Sequence, residues 1–197
     1  MKKIIIPICC LSAMLIASCG QTDTKGTSGT NTDTAVMMKD NEVSTETKVV
    51  THWDSVDFTS PIVKYKEVTS KEIDVRGNER YTIYGMSDEV LFSSGKADIR
   101  EEAKPYLNQV CVSVKSHYNT PDVRVYGYAD ATGDAAANKE LSAQRAMAVK
   151  DYIVRTANIA ADNIEIVAKG ESEPAATNAT AEGRQQNRRV RVVAMNK

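Results

Sequence analysis

Residues Gly127 to Ala146 read GYADATGDAAANKELSAQRA, and they predict the junction between a strand and a long helix. The preceding residues, Asp122 to Gly127, alternate charged and apolar side chains, which is typical of a strand with one face toward water. Thr132 to Asp134 form the predicted turn, and Asp134 is a suitable N-cap for a helix from about Ala135 to Thr156.

Four polar or charged side chains and one leucine are candidates for a site at this junction. Asn138, Leu141 and Arg145 are separated by three and four residues, so they share one face of the predicted helix. That face adjoins the end of the strand that carries Asp130. About forty residues later, the motif NRRV contributes Arg188. The sequence therefore predicts a site that combines a carboxylate with guanidinium groups.

Together these motifs resemble the OmpA-like peptidoglycan-binding domain, whose pattern is roughly G-H-T-D-x-x-G, then N-x-x-L-S-x-x-R-A, then P-x-x-x-N-x-T-x-x-G-R-x-x-N-R-R-V. The last piece reads PAATNATAEGRQQNRRV from Pro174 to Val190, and Val90 to Leu107 is similar to the family's first strand, loop and helix. The resemblance extends from about Tyr81 to the C-terminus. Tyr128 stands where the family usually has His, and Ala129 where it usually has Thr.

The alternation of strand and helix patterns predicts an α+β fold. The predicted elements are a strand (Tyr81 to Phe92), a helix (Arg100 to Tyr118), a strand (Val123 to Tyr128), a helix (about Ala135 to Thr156), a strand (Ile164 to Lys169), a loop and a strand (Arg189 to Met195). Pro105 belongs in the first turns of its helix, where a missing N–H costs little. We expect a two-layer sandwich of order β-α-β-α-β-β, with two helices on one face of a mixed sheet.

The resemblance implies a ligand as well as a fold. The family binds the stem peptide of diaminopimelate-type peptidoglycan, whose free end carries an ammonium and a carboxylate on one carbon. By resemblance, Asp130 accepts the ammonium and Arg145 takes the carboxylate. Asn138 assists the carboxylate end, Leu141 lies beside them, and Arg188 comes from the opposite wall. The alternative is that Asp130 and Arg145 only form a salt bridge that joins strand to helix.

The N-terminus resembles a bacterial lipoprotein signal peptide. Lys2 and Lys3 precede an apolar run from Ile4 to Ala17, which is shorter than the roughly 20 apolar residues that span a bilayer. Small residues then lead to Cys19. We expect residues 1–18 to be removed and Cys19 to carry the lipid, palmitate included. An ordinary cleaved signal with a chance cysteine is the alternative.

Composition divides the rest of the chain. Residues 19–47 are rich in Thr, Ser, Asn, Asp and Gly, and we expect a disordered tether with a root-mean-square span of about 30 Å and an extended limit of roughly 100 Å. Residues 48–80 are expected to be a short β-rich accessory segment, and their pattern predicts an extra hairpin with a turn at Arg76 to Glu79. Residues 81–197 form the expected OmpA-like domain.

The sequence also argues against several classes of function. The chain has 25 Lys and Arg against 26 Asp and Glu, so it carries no basic field for nucleic acid. His52 and His117 have no partners at a metal-ligand spacing, and we find no nucleophile with a nearby base. Cys111, in a helical apolar pattern, is expected to be buried. We therefore expect no enzyme, no metal and no cofactor.

These observations predict a lipid-anchored outer-membrane protein whose domain faces the periplasm and ties the membrane to the cell wall. Its expected partners are the diaminopimelate stem peptide, the outer membrane and other envelope proteins. The alternative is a surface-exposed lipoprotein that acts in adhesion or as an envelope scaffold, with an OmpA-like fold that binds no peptidoglycan.

Overall fold

A five-stranded mixed sheet is the frame of the computed structural model, which describes residues 52–197. Its strands are β1 (Ile73–Gly77), β2 (Tyr81–Ser87), β3 (Pro121–Tyr128), β4 (Ile164–Gly170) and β5 (Arg189–Asn196). They lie in the order β1-β2-β5-β3-β4, with β3 and β4 parallel and all other neighbours antiparallel. The predicted α+β fold with a mixed sheet is confirmed. The predicted signal peptide, Cys19, the tether and the first four residues of the accessory segment lie outside the described residues.

Two long helices lie side by side on one face of this sheet. The helices are α1 (Asp88–Leu91), α2 (Lys104–His117), α3 (Ala135–Ala157) and α4 (Ala181–Asn187), with single 3₁₀ turns at His52–Ser55, Glu101–Ala103 and Ala161–Asn163. The core between sheet and helices includes Leu107, Val110 and Val114 of α2, Val149 and Ile153 of α3, and Tyr84, Val125 and Val192 of the sheet. Cys111 lies in the same core, as predicted, and burial raises the pKa of its thiol to about 12.

The starts of α2 and α3 follow the rules that predicted them. Pro105 lies in the first turn of α2. Asp134 is the N-cap of α3, and its carboxylate accepts a hydrogen bond of 2.9 Å from the backbone N–H of Ala137. At its other end α3 stops at Asn158, whose backbone is left-handed with φ of 53°. Local capping chemistry therefore fixes the helix that carries three of the predicted site residues.

Two element predictions were wrong. The strand predicted for Tyr81 to Phe92 ends at Ser87, because the next four residues form α1. An apolar run as short as Val90 to Phe92 fits either a helix or a strand. The loop predicted before the last strand contains α4, which Thr180 caps by accepting a hydrogen bond of 3.0 Å from the N–H of Gly183. A glycine inside a helix lowers its intrinsic propensity, so the pattern did not reveal α4.

The accessory segment adds a strand to the sheet edge. Strand β1 pairs with β2 through a tight connection, which is the predicted hairpin. The apolar segment around Ile62, also considered as a strand, contributes only one antiparallel bridge, between Ile62 and Arg76.

The alternating pattern predicted that the second face of the sheet is open to water, but this face is covered. Tyr81, Ile83, Tyr126, Tyr128, Val193 and Met195 form a second buried cluster there, and Trp53, Val56 and Phe58 pack against it. Two arginines of the pattern lie over aromatic rings: the guanidinium carbon of Arg124 is 4.6 Å from the ring centre of Trp53, and that of Arg191 is 5.0 Å from the ring centre of Phe58. The N-terminal end of the accessory segment therefore supplies a cover that strand alternation alone does not reveal.

Candidate functional site

The candidate site is a cavity of about 810 Å³ at one end of the sheet. Strands β2 and β3 end there, and the antiparallel β5 begins there, since Ser87 pairs with Arg189 and Gly127 with Val190. The cavity is lined by Asp88, Glu89, Phe92, Ser93, Ser94, Gly95, Arg100, Ala129, Asp130, Thr132, Asn138, Leu141, Arg145 and Arg188. All five residues predicted from the sequence thus meet at one cavity. Their role as ligand contacts remains a prediction.

Arg188 joins two carboxylates across the mouth of this cavity. Its Nη1 donates to Oδ2 of Asp130 at 2.8 Å, and its Nη2 donates to Oε1 of Glu89 at 2.7 Å. The other carboxylate oxygen of Asp130 accepts from the backbone N–H of Thr132 at 2.8 Å. Burial raises the pKa of Asp130, but the hydrogen bonds from Arg188 and Thr132 outweigh it and leave the pKa below its ordinary value. Asp130 is therefore an ionised acceptor.

Arg145 has a different carboxylate partner from the one expected. Its guanidinium is buried, with Nη1 3.1 Å from Oδ1 of Asp88, and its Nε donates to the carbonyl of Lys96 at 3.0 Å. The ring of Phe92 lies beneath, 5.4 Å from the guanidinium carbon. Asp130 pairs with Arg188 instead, so a simple Asp130–Arg145 salt bridge is not what the structure shows.

Burial dominates the electrostatics of the Asp88–Arg145 pair. It lowers the pKa of Arg145, and the nearby carboxylate of Asp88 opposes this effect. It also raises the pKa of Asp88, against the opposing influence of Arg145 and Arg188. The pair therefore places two opposite charges in the wall of the cavity, largely away from water.

Asn138 supports the cavity wall through its side-chain amide. Its Nδ2 lies 3.1 Å from the carbonyls of both Asp130 and Thr132 and 2.9 Å from Oε2 of Glu171. These contacts hold the loop after β3 against α3. Without a ligand, the N–H groups of Asn138 donate to protein acceptors, and the predicted contact of Asn138 with a ligand carboxylate stays a prediction.

Asn187, the asparagine of the NRRV motif, also holds loops in place through its side-chain amide, on the opposite side. The Oδ1 atom of Asn187 accepts from the backbone N–H groups of Ala175 and Ala176, at 2.7 and 2.9 Å. Its Nδ2 donates to Oδ1 of Asn178 at 2.8 Å, and that oxygen also accepts from the N–H of Ala131. Asn187 is fully buried. It therefore links the loop before α4 to the loop that carries Asp130.

The two departures from the family pattern lie on different sides of the sheet. The ring of Tyr128 belongs to the second buried cluster, where the guanidinium carbon of Arg189 is 3.7 Å from its centre, and burial raises the pKa of its hydroxyl to about 12. Ala129 lines the cavity. Tyr128 is thus a packing residue on the face opposite α2 and α3, and Ala129 leaves the wall beside Asp130 apolar.

Sequence reasoning missed three charged residues of the cavity, namely Asp88, Glu89 and Arg100. Asp88 and Glu89 follow directly after β2, so two consecutive acids at the end of a predicted strand were the available signal. The strand predicted for Tyr81 to Phe92 includes both acids, so it hides this signal. With them, the cavity carries three carboxylates and three guanidinium groups. Its walls are therefore close to charge balance.

Comparison with known proteins places this chain beside peptidoglycan-associated proteins. The OmpA family matches residues 91–188. The peptidoglycan-binding protein ArfA of Mycobacterium tuberculosis strain H37Rv is 42% identical over 106 residues, which is 53% of this chain and 31% of ArfA. The probable lipoprotein YiaD of Escherichia coli K12 is 36% identical over 110 residues, 56% of this chain and 49% of YiaD. The chain thus matches about a third to a half of the length of these relatives.

Solved structures share the fold. The cell wall anchor of the T6SS from Pseudomonas aeruginosa superposes with a TM-score of 0.59 and 28% identity, covering 64% of this chain and 90% of that one. The segment that matches the OmpA family, residues 91–188, includes five cavity residues predicted from the sequence, namely Asp130, Asn138, Leu141, Arg145 and Arg188.

Proposed function

Residues 91–188 form a domain of the OmpA family, and from this premise we propose that the protein binds peptidoglycan non-covalently through the cavity at the end of its sheet. The proposed ligand is the free end of a diaminopimelate stem peptide. The observation that carries the proposal is the joint presence of three carboxylates and three guanidinium groups in one cavity.

Charge balance favours a zwitterion over a simple anion or cation. A ligand head group with one ammonium and one carboxylate adds no net charge, so it can enter without leaving an unpaired charge in a partly buried site. A cavity of about 810 Å³ lies within the range of known small-ligand sites. A single head group with the adjoining part of its peptide is a suitable occupant.

Each pole of the zwitterion has suitable partners. The ammonium faces the carboxylate of Asp130, and the carboxylate faces Arg145 and Arg188, whose planar guanidinium groups can donate two parallel hydrogen bonds. Arg188 is partly exposed, with 29% of its side chain accessible, so it can exchange an internal carboxylate for that of the ligand. Release occurs by simple dissociation.

The relatives support this proposal. ArfA is named as a peptidoglycan-binding protein, and the Pseudomonas aeruginosa protein as a cell wall anchor. We extend the same activity to this chain, since the matched segment contains Asp130, Arg145 and Arg188.

We further propose that the protein ties the outer membrane to the cell wall through a lipid on Cys19. The lipoprotein-like signal sequence supports the anchor, and YiaD is named as a probable lipoprotein. Among residues 52–197, no helix combines the length and apolar character needed to span a bilayer.

Sedimentation with purified sacculi tests the binding proposal. We expect wild type to co-sediment, and Asp130→Ala and Arg145→Ala to stay in the supernatant while still unfolding in one cooperative thermal transition, at a lower temperature than wild type. Loss of a hydrogen bond to a charged group weakens binding by roughly one to two orders of magnitude. Asp98→Ala and Arg155→Ala change exposed residues outside the cavity lining and should sediment as wild type does. Co-sedimentation of both site variants would show that the cavity is not the binding site.

Sacculi of two chemistries test the choice of ligand. Lysine-type stem peptides lack the carboxylate beside the ammonium, so they leave Arg145 without its ligand partner. We expect retention on diaminopimelate-type sacculi and little on lysine-type sacculi. Equal retention would overturn the diaminopimelate preference and leave general peptidoglycan binding in place.

A substitution at the proposed lipidation site tests the anchor. Cys19→Ser should release the protein from membranes.

A further inference from the structure

Asp88 is a buried acid in the cavity that lies outside the family-matched segment, which begins at residue 91. It is the first residue of α1, and its backbone N–H donates to the carbonyl of Arg188 at 3.0 Å. Only 8% of its side chain is exposed. The turn from β2 into α1 therefore fixes this carboxylate in the wall of the cavity.

One oxygen of Asp88 lacks a hydrogen-bond donor among residues 52–197. Its Oδ1 lies 3.1 Å from Nη1 of Arg145, yet no hydrogen bond of acceptable geometry reaches that oxygen. Buried polar atoms are nearly always satisfied, so an exception at the wall of a ligand cavity points to a missing donor.

The other two acids of the cavity have donors on both oxygens. Asp130 accepts from Arg188 and from the N–H of Thr132. Glu89 accepts from Arg188 on Oε1 and from Nε2 of Gln185 on Oε2, at 2.7 Å each. The unmet acceptor of the cavity therefore belongs to Asp88.

The charges that face Asp88 come from three other places in the fold. Arg145 approaches from α3, Arg188 from the start of β5 and Asp130 from the end of β3, while Glu89 is its neighbour on α1. A cationic donor placed between Asp88 and Asp130 would have a carboxylate on either side. The ammonium of a zwitterion is such a donor, and its N–H groups can serve two acceptors at once.

We propose that Oδ1 of Asp88 accepts a hydrogen bond from the ligand ammonium, so that Asp88 and Asp130 hold the ammonium together. This inference rests on the proposed function and refines it: the ligand needs a free, charged amine as well as a carboxylate. A ligand acylated on that amine keeps its carboxylate for the arginines, but loses the charge and the donors that the two acids require.

Calorimetric titration of the full chain with two soluble muropeptides tests this inference. One muropeptide has a stem that ends in diaminopimelate with its amine free, and the other is identical but acetylated on that amine. We expect wild type to bind the free-amine form at least about tenfold more tightly. Asp88→Asn should lose about tenfold for the free-amine form and little for the acetylated form. Asp98→Asn, an exposed acid outside the cavity lining, should retain the wild-type ratio.

A purely structural role for Asp88 gives a different result. If Asp88 only holds Arg145 in place, Asp88→Asn weakens both muropeptides by the same factor, and the proposed contact is overturned. If wild type binds the free-amine muropeptide without preferring it over the acetylated form, the inference also fails, and the proposed function stands. If wild type binds neither muropeptide nor sacculi, both the proposed function and this inference fail.

A measurement on wild type avoids the folding risk of a buried substitution. The chain is labelled with ¹³C at the aspartate carboxyl carbons, and the Asp88 signal is assigned through its backbone. We expect this signal to shift on addition of the free-amine muropeptide and to stay in place with the acetylated one. If the chemical shift of Asp88 does not change at saturation with the free-amine muropeptide, the proposed contact is overturned.

Discussion

Asp130 owes its low pKa to two donors that outweigh the effect of its burial. Arg188 and the N–H of Thr132 stabilise the ionised carboxylate, so its pKa in the folded chain lies below the ordinary value of 3.8. Such a carboxyl stabilises the fold at pH values above its unfolded pKa. The contribution is lost as the pH falls through the folded pKa.

Asp130→Asn should therefore destabilise the protein in a pH-dependent way. At pH 7 we expect the free energy of unfolding to fall by roughly 1.5 to 3 kcal/mol, the usual contribution of a hydrogen bond to a charged group. Below pH 3.8 the difference from wild type should shrink, because the wild-type carboxyl also becomes protonated. Urea unfolding at pH 7 and pH 3 measures both values, with Asp98→Asn as the exposed control. A difference of equal size at both pH values would contradict this assignment.

The sequence predicted which residues line the cavity better than it predicted the ion pairs between them. Asp130 and Arg145 are fifteen positions apart and belong to one strand–helix junction, so local spacing brings them to the same cavity. Asp88 pairs with Arg145 across 57 positions, and Glu89 with Arg188 across 99. Pairings over such distances depend on where β2 ends and α1 begins, which the apolar pattern left ambiguous.

The helix α3 and the strand β3 meet at a glycine. A Cβ atom added at Gly127 would lie 2.1 Å from the backbone oxygen of Ser142, which is closer than real Cβ atoms come. Ser142 sits between Asn138 and Arg145 on α3, and its hydroxyl accepts a hydrogen bond of 3.1 Å from the N–H of Gly170. The close approach at Gly127 therefore sets the distance between the helix that carries Arg145 and the strand that leads to Asp130.

Gly127→Ala should lower stability and weaken ligand binding together. Overpacking of a tight contact costs about 1 to 3 kcal/mol, and the shift of α3 that relieves it displaces Arg145 relative to Asp130. Gly85→Ala is a matched control in β2, because its nearest heavy atom would be 3.6 Å away, an ordinary contact. Urea unfolding and sedimentation with sacculi should separate the two variants. Equal behaviour of the two alanine variants would rule out the close approach as the cause.

Elements with strong local signals were predicted well, and those that depend on distant contacts were not. The start of α3 follows from Asp134, and the hairpin of β1 and β2 from its turn residues. The cover of the second sheet face depends on Trp53 and Phe58, which lie about seventy residues or more from the strand residues that they cover in β3 and β5. No local period encodes such a contact, and the alternation in β3 and β5 therefore suggested an open face.

At the scale of the whole molecule, the accessory segment packs on both faces of the sheet. Phe58 contacts Tyr126 edge to face on the second face, with ring centres 5.2 Å apart. Farther along the segment, Glu67 accepts hydrogen bonds of 2.9 Å from Ser113 and 2.8 Å from His117, both on α2. Residues 52–80 thus pack against the OmpA-like part of the chain. The change in composition near residue 80 therefore does not separate two independently packed parts.

His52 lies at the end of the sheet opposite the cavity. His52 lies 3.7 Å from Asp122 at the start of β3, whereas Asp130 follows the end of that strand. Eight residues of strand separate the two ends by about 26 Å. The segment that begins at His52 and the cavity therefore lie at opposite ends of the sheet.

If the proposed lipid anchor is correct, we expect the predicted tether, which lies outside the described residues, to be needed for binding in the cell but not for binding by the purified protein. Deleting residues 22–47 leaves a link of about six residues between Cys19 and His52, with an extended reach of roughly 20 Å in place of about 100 Å. The cavity is unchanged, so the purified variant should co-sediment with sacculi as wild type does. In a diderm bacterial host, chemical cross-linking of the anchored variant to peptidoglycan should fall several-fold. A Gly/Ser linker of the original length should restore it, because reach depends on length and flexibility. Undiminished cross-linking of the shortened protein would show that the wall lies within reach without the tether.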